Sequence, residues 1–152
     1  MNRLFLFAAF ACLLGGSSYS SAQQKGYWRA ASSNAVSITG DIELSDTKIS
    51  INFSGFTIAH IRDLSPAETS AVFAAESSGA ATGNLYRLNV PASKRFLRHN
   101  SLCGSDDVQW MVTSVVERTL YVAFLSGSNT PEFTPEAMAN STDLCGTFTY
   151  VR

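Results

Sequence analysis

Four of the six residues from Lys94 to His99 are basic: Lys94, Arg95, Arg98 and His99, with Phe96 and Leu97 between them. Held on the surface, such a cluster suits an anionic glycan, a phosphate or an acidic partner, because guanidinium groups donate charge-assisted hydrogen bonds to oxyanions. The competing expectation is a solvated loop whose Phe96 and Leu97 pin it to the core. Material for catalysis is thinner. The chain has two histidines. His60 falls on the same face as Phe56 and Ile58, where a buried, hydrogen-bonded ring is expected. His99 with Asp106 or Asp107 is the one set from which a small hydrolase or isomerase would be built. Neighbouring aspartates on an extended backbone point to opposite sides, which disfavours paired acid–base work. There is no Gly-x-Ser-x-Gly elbow, phosphate loop, His-Glu-x-x-His or calcium loop. No catalytic residue, metal site or cofactor is therefore expected.

The cysteines carry a different message. Residues 1–22 run from the positive charge of Arg3 through apolar Leu4 to Leu14, then to small residues ending Ser20-Ser21-Ala22. That order is expected of a secretory signal peptide, and the run is too short to span a bilayer. Its loss takes 22 of the 152 residues and leaves 130, enough for a single β-rich domain over 23–152. It also takes Arg3 from the 11 basic residues, leaving 10 against 12 acidic ones, a net −2. A balance so near neutral gives no reason to expect nucleic acid as partner. No transmembrane segment is expected after residue 22. Cys12 lies inside the leader, so Cys103 and Cys145 remain, and an even pair in an exported chain reads as a disulfide. It would close a loop of about 43 residues, worth roughly 4 kcal/mol on the loop-entropy account. Zinc is disfavoured, since nothing completes a set of four ligands around them. The expected location is the periplasm or outside the cell.

The elements that must position these residues are mostly strands. Gln23 to Lys25 reads as a disordered lead-in, and Tyr27 to Ala30 as the opening of the first strand. Val36, Ile38, Ile42 and Leu44 alternate with polar residues, which predicts one strand bent at Gly40. Ile49, Ile51 and Phe53 predict the next, turning at Ser54-Gly55, and Phe56, Ile58 and His60 the one after. Ser65-Pro66-Ala67-Glu68 is a capping box with proline in the first helical position. It predicts a helix over 67–76 that buries Ala71, Val72 and Ala75. Tyr86, Leu88 and Val90 mark another strand. Val108, Trp110, Val112, Ser114 and Val116 form the apolar face of a strong one, and Leu120, Val122 and Phe124 return after a turn at Glu117-Arg118. A short helix follows Thr134, and Cys145 to Val151 closes the chain. About eight strands with one apolar face predict a mainly β fold, a small antiparallel β-barrel or rolled sheet with one or two short helices, one of them at a mouth. A two-sheet β-sandwich is the alternative.

Several stretches carry a resemblance: Ile38-Thr39-Gly40-Asp41-Ile42, Asn100-Ser101-Leu102-Cys103-Gly104, Ala123-Phe124-Leu125-Ser126-Gly127 and Leu144-Cys145-Gly146-Thr147-Phe148-Thr149-Tyr150. In these the chain resembles a group of small exported bacterial proteins that has no established activity. The resemblance implies a bacterial, periplasmic setting and the paired cysteines, and it implies no catalytic residue. The leading expectation is a non-enzymatic binding or envelope-associated domain that uses the barrel mouth or the basic loop. A secreted inhibitor of a host or competitor enzyme is a special case, similar in size and architecture alone to bacterial lysozyme inhibitors. The enzyme built on His99 is the alternative from another class.

Overall fold

The computed structural model describes residues 23–74 and 81–152. The leader at 1–22, with Cys12, and the end of the expected helix at Ala75 and Glu76 lie outside the described residues. Nine strands form one antiparallel sheet: β1 (Gly26–Ala30), β2 (Ile42–Leu44), β3 (Lys48–Ile51), β4 (Ser54–Thr57), β5 (Ala59–Leu64), β6 (Gly83–Val90), β7 (Val108–Val116), β8 (Thr119–Leu125) and β9 (Leu144–Val151). Their spatial order is β4-β3-β2-β1-β9-β8-β7-β6-β5. The two edge strands, β4 and β5, are consecutive in the chain and separated only by Ile58, which is buried. The sheet must therefore curl until its ends meet at that residue. It is a rolled sheet, not closed by a ladder between β4 and β5, and it stands in place of the two packed sheets of a sandwich.

The inside of the roll follows from strand alternation. Trp28, Ile42, Leu44, Ile49 and Ile51 from the first strands meet Met111, Leu120, Val122, Phe124, Phe148 and Tyr150 from the last. A second cluster lies on the opposite face of β5 to β8, where Leu64, Leu85, Trp110, Val112, Ala123 and Leu125 pack against Val72, Phe73 and Phe133. The central strands are thus buried on both faces. This corrects the expected inward face of β7: Trp110 and Val112 lie outside, while Met111 points in. Both faces of β7 are apolar enough that alternation alone does not choose between them. Helix α1 (Pro66–Phe73) covers this outer cluster rather than a mouth of the roll. It buries Thr69, Val72 and Phe73, not Ala71. Its capping box forms as expected, with Ser65 Oγ accepting from Glu68 N and Ser65 N donating to the Glu68 carboxylate. Helix α2 (Pro135–Ala139) starts at Thr134, whose hydroxyl accepts from Ala137 N.

Three local expectations fail, two for a tertiary reason and one for a local one. Ala35–Thr39 is a π-helical turn, not a strand, and it leaves Val36 exposed. Thr39 Oγ1 bonds the Ala35 carbonyl at 3.2 Å and the buried Tyr150 hydroxyl at 2.7 Å, and Gly40 leaves the turn with a φ of 63°. Gln23 to Lys25 is no loose lead-in. The Gln24 side-chain oxygen accepts from Thr113 Oγ1 at 2.7 Å and Tyr86 OH at 3.2 Å, and its backbone carbonyl accepts from Trp28 Nε1 at 2.8 Å. One amide thereby satisfies two buried hydroxyls. Finally, β3 turns at Asn52-Phe53, two residues earlier than expected, since Ile51 pairs with Ser54. The Cys103–Cys145 disulfide is formed, with a Cα–Cα distance of 4.8 Å. It ties the loop before β7 to the start of β9.

Candidate functional site

The loop from Pro91 to Asp107 brings the basic residues to the surface and fixes them there. Asp107 accepts from Ala92 N at 2.7 Å, and Lys94 N donates to the Pro91 carbonyl at 2.9 Å. Phe96 is buried against Phe56 of β4, with ring centroids 6.1 Å apart, and Leu102 is buried beside the disulfide. Between these anchors the chain makes a tight turn at Leu97–His99, closed by Phe96 N to the Asn100 carbonyl at 2.8 Å and Asn100 N to the Leu97 carbonyl at 3.0 Å. The Asn100 side-chain amide ties the turn to Ser37 at 3.2 Å. Both Arg98 (φ 54°) and His99 (φ 60°) are left-handed. Each such residue costs about 1–2 kcal/mol relative to ordinary backbone. Arg95, Arg98 and His99 are exposed, and Lys94 is half-buried. Arg95 donates to the Ala92 carbonyl at 2.6 Å, which holds its guanidinium across the loop. Among the described residues none of the four lies within ion-pairing distance of a carboxylate.

The His99–aspartate set is not brought together. His99 is exposed and hydrogen-bonds neither aspartate. Asp106 and Asp107 line a separate polar cleft of about 450 Å³ with Gln109, Ser126, Ser128 and Asp143. Asp143 serves the loop beside it, where its carbonyl accepts from Ser126 N at 2.8 Å. His60 differs from the expected buried ring. Its side chain is about half exposed, and Nε2 lies 3.1 Å from Asp63 Oδ1 and 3.2 Å from Asn84 Oδ1. The chain bends at Ile58, so His60 belongs to the edge strand β5 rather than to the core face of β4. Among the described residues no group of three or more His, Cys, Asp or Glu side chains is placed to hold a metal ion.

A second feature adjoins the basic turn. A groove of about 360 Å³ runs between Leu97 on one wall and the Asn52-Phe53 turn on the other, with Tyr27, Asp41 and Glu43 along it. Leu97 packs so closely on Gly40 that an added Cβ there would sit 3.0 Å from Leu97 Cδ1. The Tyr27 hydroxyl donates to Asp41 Oδ2, and Ala30 N donates to Asp41 Oδ1 at 2.8 Å. The bond from Tyr27, with that from Ala30, holds the Asp41 carboxyl below its usual range, and the same bond to Asp41 raises the Tyr27 phenol. Glu43 stands beside Tyr27 in the register and has no ion partner among the described residues. Asn52 (φ 46°) and Phe53 (φ 63°) are both left-handed, the I′ geometry that a two-residue hairpin turn needs. Phe53 is fully exposed. Neither composition nor spacing in the sequence singles out Tyr27, Glu43 or Phe53. The signal for them was Asn52, a residue favoured in the first position of such a turn. Reading it as the turn would have put Phe53 at the tip.

No helix among the described residues is long and apolar enough to cross a membrane. No family model matches the chain, and no curated protein or solved structure matches it either.

Proposed function

We propose that this chain is an exported, non-enzymatic binding domain that captures an anionic partner with the basic turn at Lys94, Arg95, Arg98 and His99. The observation that carries this reading is the tandem left-handed pair Arg98-His99, presented to solvent on an anchored loop with no acid within ion-pairing distance. Left-handed residues also occur at plain turns of this fold, Glu117 between β7 and β8 among them, but at 98–99 both of the strained residues are basic and exposed. Strain of this kind persists where the surroundings impose it, and it gathers at ligand sites. The absence of a carboxylate beside His99 favours binding over acid–base chemistry. Inhibition of a partner enzyme is the special case in which the captured surface is an acidic active-site rim. The work is done in the periplasm or outside the cell, where the disulfide persists.

The test is capture from periplasmic extract by the immobilised domain, compared with a Lys94→Glu/Arg95→Glu/Arg98→Glu variant. The parent should retain a partner in low salt and release most of it at 0.5 M, because exposed charges are screened there within about 4 Å. The variant should capture at least tenfold less. Equal capture by the two, or capture indifferent to salt, rules the reading out.

A further inference from the structure

Phe53 stands where the fold gains nothing from it. Its ring is fully exposed and adds nothing to either core. Its left-handed backbone occupies the second position of a two-residue turn, where glycine is favoured. Leu97, which lines the same groove, directly precedes the other strained pair, Arg98 and His99. One left-handed non-glycine pair thus lines the concavity, and a second follows its lining residue Leu97 in the chain.

The lining of that concavity says what fits it. Tyr27 and Phe53 offer two aromatic faces, both largely open to solvent. The Tyr27 ring is fixed in advance by its bond to Asp41, which lowers the ordering cost of binding. Tyr27, Glu43 and Ser50 stand side by side across β1, β2 and β3, and Asn52 adds an amide at the rim. A saturated ring with hydroxyl groups around its edge and C–H bonds on its face meets all of this. Its C–H face lies on the aromatics, and its hydroxyls donate to Glu43 and to the Asn52 oxygen. A bare phosphate or an aspartate side chain has no ring to stack. The groove's own charges are the carboxylates of Asp41 and Glu43, so a basic peptide is the competing occupant, opposed only by the field of Arg29 beside Asp41 and of the turn at 94–99.

We infer that the groove between Phe53 and Leu97 is a sugar-ring subsite. The anionic partner of the basic turn is then an acidic glycan, whose rings lie in the groove and whose carboxylate or sulfate groups reach Arg98 and its neighbours. This rests on the basic turn being a binding site.

The experiment is a titration of the secreted, disulfide-bonded protein followed by amide NMR. The probes are tetragalacturonate, a heparin-derived tetrasaccharide, a linear polyphosphate of matching charge and a tetra-arginine peptide. One of the two glycans should bind at least tenfold tighter than polyphosphate, moving the amides of Tyr27, Glu43, Phe53 and Leu97. Phe53→Gly should lose that preference and still melt at a higher temperature than the parent, while Phe53→Tyr should keep it. A residue retained only for folding would not separate stability from binding in this way. If Phe53→Gly binds the glycan as tightly as the parent, or if the shifts stay within 94–99, the groove inference is overturned and the basic-turn reading survives. If the arginine peptide alone moves the groove amides, the occupant is a basic protein and the glycan inference falls. If no anion binds in a salt-dependent way, the basic-turn reading itself is lost.

Discussion

Gln24 shows how much one polar side chain can carry. It is 2% exposed, and its single amide oxygen takes the hydroxyls of Tyr86 and Thr113, from neighbouring strands of the roll. Burial raises the Tyr86 phenol, so it stays a neutral donor. Gln24→Ala should leave two buried hydroxyls without a partner and destabilise the protein by about 2 kcal/mol. Gln24→Glu should be worse, since it buries a carboxylate whose hydrogen-bond donors there are two neutral hydroxyls and no cation. Chemical denaturation read by tryptophan fluorescence measures both, and a loss under 0.5 kcal/mol for the alanine variant would show that the contact is incidental. Thr39 and Tyr150 make a similar buried pair, and burial pushes the Tyr150 phenol far above its ordinary range. Phe53 is the opposite case, a residue that costs stability where it stands.

At the scale of elements, helix α1 owes its start to charges that titrate. Arg62 Nη2 donates to Glu68 Oε1 at 2.8 Å, and Ser65 N donates to the same carboxylate. The Arg62 guanidinium, followed by Ser65 N, lowers the Glu68 carboxyl to about 2. A carboxyl depressed in the folded state contributes stability above its unfolded pKa, near 4.5, and the contribution fades as pH falls toward about 2. Water screens the exposed Arg62, so the contribution is about 1 kcal/mol. Glu68→Gln should therefore lower the melting temperature at pH 7 and have little effect at pH 2.5. A constant difference between parent and variant across that window would show that the carboxylate's charge is not what stabilises the helix start. The basic turn is another element set by its neighbours. Its anchors, Phe96 and Leu102, sit in the core, and the residues between them are left to face solvent.

For the whole molecule the disulfide matters most. The seam between β4 and β5 is not laddered, and β1 joins the two halves of the sheet through only two residue pairs with β9, Arg29↔Val151 and Ala30↔Tyr150. Cys145 is the second residue of that same β9, and the bridge spans 42 positions of sequence. Cys103→Ser with Cys145→Ser should cost about 2–5 kcal/mol. It should also loosen the 91–107 loop, so that capture of an anionic partner weakens together with stability. Intact mass with and without reductant establishes the bridge, and equilibrium unfolding measures its worth. A variant as stable as the parent would mean that packing alone holds the roll shut.

The alternation of Ile42 with Leu44 and Ile49 with Ile51, the capping box at Ser65, the turn at Glu117-Arg118 and the isolated cysteine pair were all legible in the chain. The strands, the capping box and the turn depend on local backbone preference and a period of two, which neighbours in sequence express unaided, and the cysteine pair was legible by count alone. The basic cluster and Phe96 as a pin of its loop were likewise legible from neighbouring residues, whereas Leu97, expected beside it as a second pin, is only half-buried. The face of β7 that turns inward, the coiling of Ala35–Thr39, the seating of Gln24 and the exposure of His60 were not legible. Each is decided by a partner more than 20 residues away, such as Tyr150 for Thr39 or Thr113 for Gln24. The groove belongs with these. Tyr27, Phe53 and Leu97 are far apart in sequence, and they line the same space because β1, β2 and β3 pair side by side and Leu97 packs on Gly40.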